Sequence, residues 1–127
     1  MSALILDAGA LVSVDRNDRA MIARLRASQQ HGLELRTNAM VVAQVWRDRH
    51  GRQVNLARLL QAVDVRAVSQ RDGRDAGILQ AAAGTSDAID ATVVLLASAG
   101  DRILTSDPDD IARLAAAADN RAAVITC

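Results

Sequence analysis

Short apolar runs and stretches of helical period alternate along the whole chain. Ala3–Leu6 is an unbroken apolar run of strand length, the pattern of a strand buried on both faces. Between Asp18 and Gln30, Met21, Ile22 and Leu25 fall at helical spacing with arginines among them, which predicts a helix. After the His31-Gly32 break, Leu33–Arg36 reads as a short strand. Asn38–Asp48 predicts a helix with Val41, Val42, Val45 and Trp46 inward, and Val54–Ala62 another, built on Leu56, Leu59 and Leu60. Asp64–Val68 alternates as a strand does, and Arg71–Ala83 is an alanine-rich helix ended by Gly84. Asp87–Ala99 is apolar nearly all round (Ile89, Val93, Val94, Leu95, Leu96), so it predicts a buried helix stopped at Gly100. A strand at Arg102–Leu104, a helix at Pro108–Ala118 and a closing strand at Ala122–Ile125 complete the pattern.

Strands that alternate with helices predict an α/β fold with a mainly parallel sheet of four or five strands, covered on both faces. There is no internal repeat or low-complexity linker, and 127 residues with one proline suit a single domain over residues 1–127. In such a sheet, ligands collect at the carboxyl ends of the strands, where the strand order reverses.

Composition narrows the chemistry. Half of the residues are hydrophobic and 24% are charged, enough apolar material for a core. No apolar run approaches the ~18 residues of a membrane-spanning helix. The N-terminal stretch lacks a basic region and is broken by Asp7, so no signal peptide is expected. The single cysteine, Cys127, excludes an internal disulfide framework and fits a reducing, cytoplasmic setting. Net charge is zero, so nucleic-acid binding must come from a local patch. All 15 basic residues are arginine, which excludes lysine-dependent mechanisms: a Schiff base, a P-loop, or the lysine of a phosphotransfer receiver. Trp46 is the one aromatic residue, which excludes RNA recognition by stacking bases on an aromatic sheet face. No Gly-x-Gly-x-x-Gly follows the first strand, against a Rossmann nucleotide site.

The candidate chemistry lies in the aspartates. Asp7 directly follows the first strand, and Asp107 follows the strand that begins at Arg102. Asp87 and Asp90 lie three residues apart at the start of the apolar helix, on one face. Four short carboxylates from three segments can meet at one sheet edge, where they repel one another unless a cation lies between them. Oxygen ligands of this kind suit a hard cation, Mg2+ or Mn2+, and the chemistry they most often serve is phosphodiester hydrolysis. Capping is the competing reading. Asp107 precedes Pro108, a helix-start signature that Asp110 would complete, and Asp87 reads more readily as a helix cap than as a ligand. Asp90 on an apolar helix and Asp7 at the end of an apolar strand resist that explanation, because an unpaired buried carboxylate is costly.

The segments LILDAGALVSVDR, TNAMVVAQVWRD, TSDAIDATVVLLA and DRILTSDPDDIARLA resemble, in that order and over nearly the whole chain, the PIN domains of bacterial VapC-type toxins. The resemblance implies a three-layer α/β/α fold and Mg2+- or Mn2+-dependent cleavage of RNA. It further implies an antitoxin partner whose C-terminal segment covers the active-site groove, and a homodimer. By position it marks Asp7, Asp90 and Asp107 as catalytic metal ligands and Asp87 as an accessory acid, with Asp110 a further site-facing candidate. The departure is Gln44, where the family pattern has a glutamate; its amide still accepts a hydrogen bond but brings no charge.

The leading expectation is therefore a metal-dependent endoribonuclease, the toxin of a toxin–antitoxin pair. In it Arg16, Arg19, Arg47 and Arg49 are candidate phosphate contacts, each equally readable as a solvated helix face. The rival that Gln44 favours is a catalytically weakened module that binds RNA or protein. Leu11, Val12, Val14 and Trp46 exceed what a small core is expected to take, so some of them are expected at a partner surface.

Overall fold

The computed structural model describes residues 2–48 and 50–127. The chain runs β1 (Ala3–Leu6), α1 (Ala8–Asp15), α2 (Arg19–Gln30), β2 (Glu34–Asn38), α3 (Ala39–Val45), α4 (Val54–Gln61), β3 (Asp64–Arg66), α5 (Gln70–Ala83), α6 (Ala88–Val94), β4 (Arg102–Thr105), α7 (Pro108–Ala117) and β5 (Ala123–Thr126). The five strands form one sheet in the order β3-β2-β1-β4-β5, with every neighbouring pair parallel. The α/β architecture read from the alternation is the one observed.

β1 is the centre of the sheet, and all four of its side chains are buried, as its unbroken apolar run requires. From β1 the chain steps to β2 and β3 on one side, and later to β4 and β5 on the other. Right-handed crossovers then put the helices of the two halves on opposite faces. Accordingly α1 packs against α2, α3 and α4, while α5, α6 and α7 pack against one another. The strand order reverses between β1 and β4, so the carboxyl ends of these two strands open the crevice where such sheets bind ligands.

Three elements differ from the sequence expectation. Residues 8–15 form α1, which the periodicity does not announce, because the run is apolar on nearly every side. Asp7 ends β1 and caps α1 with no loop between, its side chain accepting the Ala8 N–H at 2.8 Å. Leu11 and Val14 are buried, and Val12 and Trp46 pack half-buried against the core, so these four are largely accounted for inside the molecule. α3 stops at Val45 rather than Asp48 because buried Gln53 holds the following turn. The Gln53 Oε1 accepts the N–H groups of Arg47 and Asp48 at 2.7 and 2.8 Å, and its Nε2 donates to the Val45 carbonyl at 2.9 Å. α6 ends at Val94 rather than Ala99: Asn120 Nδ2 donates to the carbonyls of Val94 and Ala97, at 3.2 and 2.9 Å, and Leu95 is left 42% exposed. The remaining ends shift by one or two residues, as helix and strand ends do.

Asp101 locks the start of the sheet. It is buried, and its two oxygens accept the N–H groups of Ala3 and Ser98, each at 2.8 Å. Asp101→Ala leaves both donors unpaired, so urea denaturation is expected to show a loss of about 2–6 kcal/mol at about 1–3 per orphaned group. Asp101→Asn, which keeps one acceptor, is expected to lose about half of that.

Candidate metal centre

The site is assembled where β1 and β4 lie side by side, Leu6 paired with Leu104. Asp7 is 5% exposed, and its second carboxylate oxygen accepts the Thr105 hydroxyl at 2.7 Å. The same buried hydroxyl accepts the backbone N–H of Asp107 at 3.0 Å. One side chain thus ties the aspartate of β1 to the turn that follows β4. Thr105 was not singled out in the sequence; its signal is the Thr-x-Asp spacing at a strand end.

Asp107 holds the N-cap position of α7, but its side chain makes no cap hydrogen bond, so the capping explanation fails for it. Asp110, in the first turn of α7, and Asp90, in the first turn of α6, complete a tight set. One carboxylate oxygen from each of Asp90, Asp107 and Asp110 lies within 4.8 Å of the other two. Asp90 is 6% exposed, and its carboxylate has no hydrogen-bond partner among the described residues. Its burial, and then the charges of Asp7, Asp87, Asp107 and Asp110, push its pKa up to about 7. Asp107 is raised as well, by desolvation and then by Asp110. Asp90 is buried as a residue while its oxygens reach the crevice, with no hydrogen-bond donor among the described residues and other carboxylates beside them; the ligand atoms are all hard oxygens, and the residues fit a divalent cation of the Mg2+ or Mn2+ type.

The other expected site residues fall elsewhere. Asp87 is exposed and caps α6, one oxygen accepting the N–H groups of Ile89 and Asp90, both at 3.0 Å. It stands outside the tight set and reaches Asp90 only through its field. Asp7 lies beside the set with both oxygens engaged. Gln44 is exposed on α3 and has no hydrogen bond to these carboxylates among the described residues. Arg16 ends α1 and Arg19 opens α2, so about 12 Å of helix separates them from Asp7. Arg47 Nη1 donates to the carbonyls of Ala43 and Trp46, closing off the end of α3. Arg49 lies outside the described residues.

Gly9 sits where α1 crosses the β4–α7 turn. A Cβ there would lie 2.6 Å from the Ser106 hydroxyl oxygen, 2.8 Å from its Cβ and 3.2 Å from the Cys127 sulfur. The first turn of α1 approaches the turn carrying Asp107 this closely only because residue 9 has no side chain. Cys127 lies near enough to Asp7 for that charge, after burial, to push its thiol pKa up.

A scan of protein-family models and a search of curated proteins find no match for the sequence. Among solved structures, the chain is similar to one described as the crystal structure of VapBC2 from Rickettsia felis bound to a DNA fragment from their promoter. The TM-score is 0.72 at 11% identity, over 100% of this chain and 99% of that one. At this identity the likeness concerns the fold. It agrees with the resemblance carried by the aspartate motifs and with the parallel five-stranded sheet: the chain has a VapC-like PIN fold.

Proposed function

We propose that this chain is a Mg2+- or Mn2+-dependent endoribonuclease, the toxin half of a toxin–antitoxin pair. The observation that carries the reading is buried Asp90, without a donor of its own, set against Asp107 and Asp110 where the strand order reverses. Asp90, Asp107 and Asp110 would hold the cation, and Asp7, fixed by Ala8 and Thr105, keeps its negative field on the same point. A bound Mg2+ or Mn2+ supplies Lewis acidity to the phosphodiester oxygens and favours ionisation of a nearby water. The chain's own contribution is placement. Asp7 follows β1 and Asp107 follows β4, and the Thr105 hydroxyl ties the Asp7 carboxylate to the Asp107 backbone, which sets where the Asp107 side chain starts.

The antitoxin is the partner that this reading calls for. A groove of about 520 Å3 between α2 and α4 is floored by Val14, Ile22, Leu25 and Leu59 and rimmed by Arg19, Arg26 and Arg58, with no acidic residue in its lining. An amphipathic helix with acidic flanks matches it in shape and charge. Arg19 then serves the partner rather than RNA. A homodimer completes the proposal, and a monomer by light scattering at high concentration removes that part of it.

The alternative, a weakened binding module, draws on uncharged Gln44. Calorimetry with Mn2+ and a cleavage assay on single-stranded RNA separate the two. The parent is expected to bind Mn2+ and cut RNA, with Asp90→Asn losing at least about tenfold in affinity and nearly all cleavage. A parent that binds no Mn2+ and leaves RNA intact overturns the reading, and so does an Asp90→Asn protein that behaves as the parent.

Asp90 also sets the pH dependence. Its pKa is raised in the folded state, so between the ordinary carboxyl value and about 7 the folded chain binds a proton that the unfolded chain does not. The Asp90 contribution is therefore fully present below the unfolded value and is lost as pH rises through about 7. Thermal melting in EDTA is expected to show the parent losing stability between about pH 5 and 8, with a flatter profile for Asp90→Asn. Saturating Mg2+ is expected to restore the parent at the high end. A parent profile in EDTA that rises with pH over this range contradicts the assignment.

A further inference from the structure

A second cavity, about 260 Å3, is lined by Asn38, Arg66, Asp72, Thr92, Leu95 and Leu96 among others. Asn38 ends β2 and Arg66 ends β3, and all strands are parallel, so these residues lie on the same sheet edge as Asp7 and Asp107. Thr92 lies two residues after Asp90 on α6, on the other side of that helix, where it meets Asn38. The cavity therefore shares the carboxyl edge of the sheet with the carboxylates, on the β2–β3 side of them.

Its lining is mixed in a specific way. The Arg66 side chain is 52% exposed; its Nε donates to Asp64 at 2.6 Å, and its Nη groups have no partner among the described residues. A guanidinium with its terminal fork free is a phosphate ligand. Leu95 is 42% exposed where α6 stops short, which gives an apolar wall. Asn38 and Thr92 form a fixed floor: the Asn38 amide donates to the Thr92 hydroxyl at 3.0 Å, and that hydroxyl donates to the Ile89 carbonyl at 2.7 Å. The amide keeps one further N–H. Asp72 is kept ionised by its bonds to Ser69, so its wall repels phosphate and accepts N–H groups. The volume lies just below the ~300 Å3 at which sites for small-molecule ligands begin, which suits one nucleotide unit.

We infer that this cavity receives one unpaired nucleotide of the RNA strand next to the phosphate held at the carboxylates. Arg66 grips the backbone phosphate of that nucleotide, Leu95 covers a face of its base, and Asp72 meets the base edge above the floor of Asn38 and Thr92. The inference rests on the ribonuclease reading for its substrate. It goes beyond that reading by giving this face of the sheet the job of positioning the strand, in a protein without aromatic side chains at this cavity to do it by stacking.

Two measurements test it. Short single-stranded RNA carrying 4-thiouridine is photo-crosslinked to the Asp90→Asn protein, and the adducts are mapped by mass spectrometry. They are expected on the segments around Arg66–Asp72 and Thr92–Leu96. In that background Arg66→Gln is expected to lower the crosslink yield about tenfold, the loss of a charged hydrogen-bonding pair, while Arg121→Gln, an exposed arginine before β5, leaves it unchanged. In the cleaving parent, Arg66→Gln is expected to raise KM about tenfold with kcat nearly unchanged. Crosslinks that map elsewhere, or an Arg66→Gln yield equal to that of Arg121→Gln, overturn the inference. A parent that cuts no RNA yet crosslinks at this cavity removes the ribonuclease reading and leaves the nucleotide site standing. A parent that cuts RNA with crosslinks elsewhere does the reverse.

Discussion

Carboxylates gathered at one sheet edge, Asp90 buried, Asp110 half-buried and Asp107 exposed, repel one another, and the structure around them holds them together all the same. Asp7 is pinned by Ala8 and Thr105, Asp107 is held through its own backbone to the same hydroxyl, and Asp90 rides on a helix whose other side chains are mostly buried. The force that maintains this comes from elsewhere. Ile5, Leu6, Leu11, Ile103, Leu104, Ile111 and Leu114 are fully buried around the central strands, and their burial fixes the strand ends and helix starts that carry the carboxylates. Asp90 registers the residual tension by holding its proton up to about neutral pH.

The same logic orders the charges over the molecule. Acidic and basic residues are equal in number, and some pair directly, as Asp64 does with Arg36 and Arg66, yet two regions are one-sided. The triad gathers at the carboxyl edge of the sheet, while Arg19, Arg26 and Arg58 ring a groove between α2 and α4 that contains no acid. A neutral sum thus conceals two poles with opposite preferences, one for cations and one for anionic partners.

Most of the architecture was legible because its signals are local. The apolar run Ala3–Leu6 is a strand buried on both faces, Asp18 and Gly84 stand at helix ends, and the alternation of elements predicts the parallel sheet. What was not legible depends on partners distant in sequence. α1 has no polar face to reveal its period, since β1, β4 and three helices surround it. The end of α6 is decided by Asn120, and that of α3 by Gln53. At the site, the motif positions of Asp7, Asp90 and Asp107 stood out. That Asp110 joins the tight set while Asp87 is spent on a cap depends on side-chain directions in two short helix starts, which spacing alone does not give. Arg16, Arg19, Arg47 and Arg49 were expected only from nearness to the site, and a helix of eight residues is long enough to carry Arg16 away from Asp7.

Gly9 carries a consequence for how the sequence can vary. The space its missing side chain leaves is filled by Ser106 and Cys127, so the constraint at residue 9 is set jointly by two positions about a hundred residues further along the chain. Every change in the first or second base of a glycine codon either adds a Cβ or ends the chain. A genetic selection for loss of function would therefore accumulate lesions at this codon without touching a carboxylate. Its suppressors would be sought first at residue 106, where a smaller side chain returns part of the room.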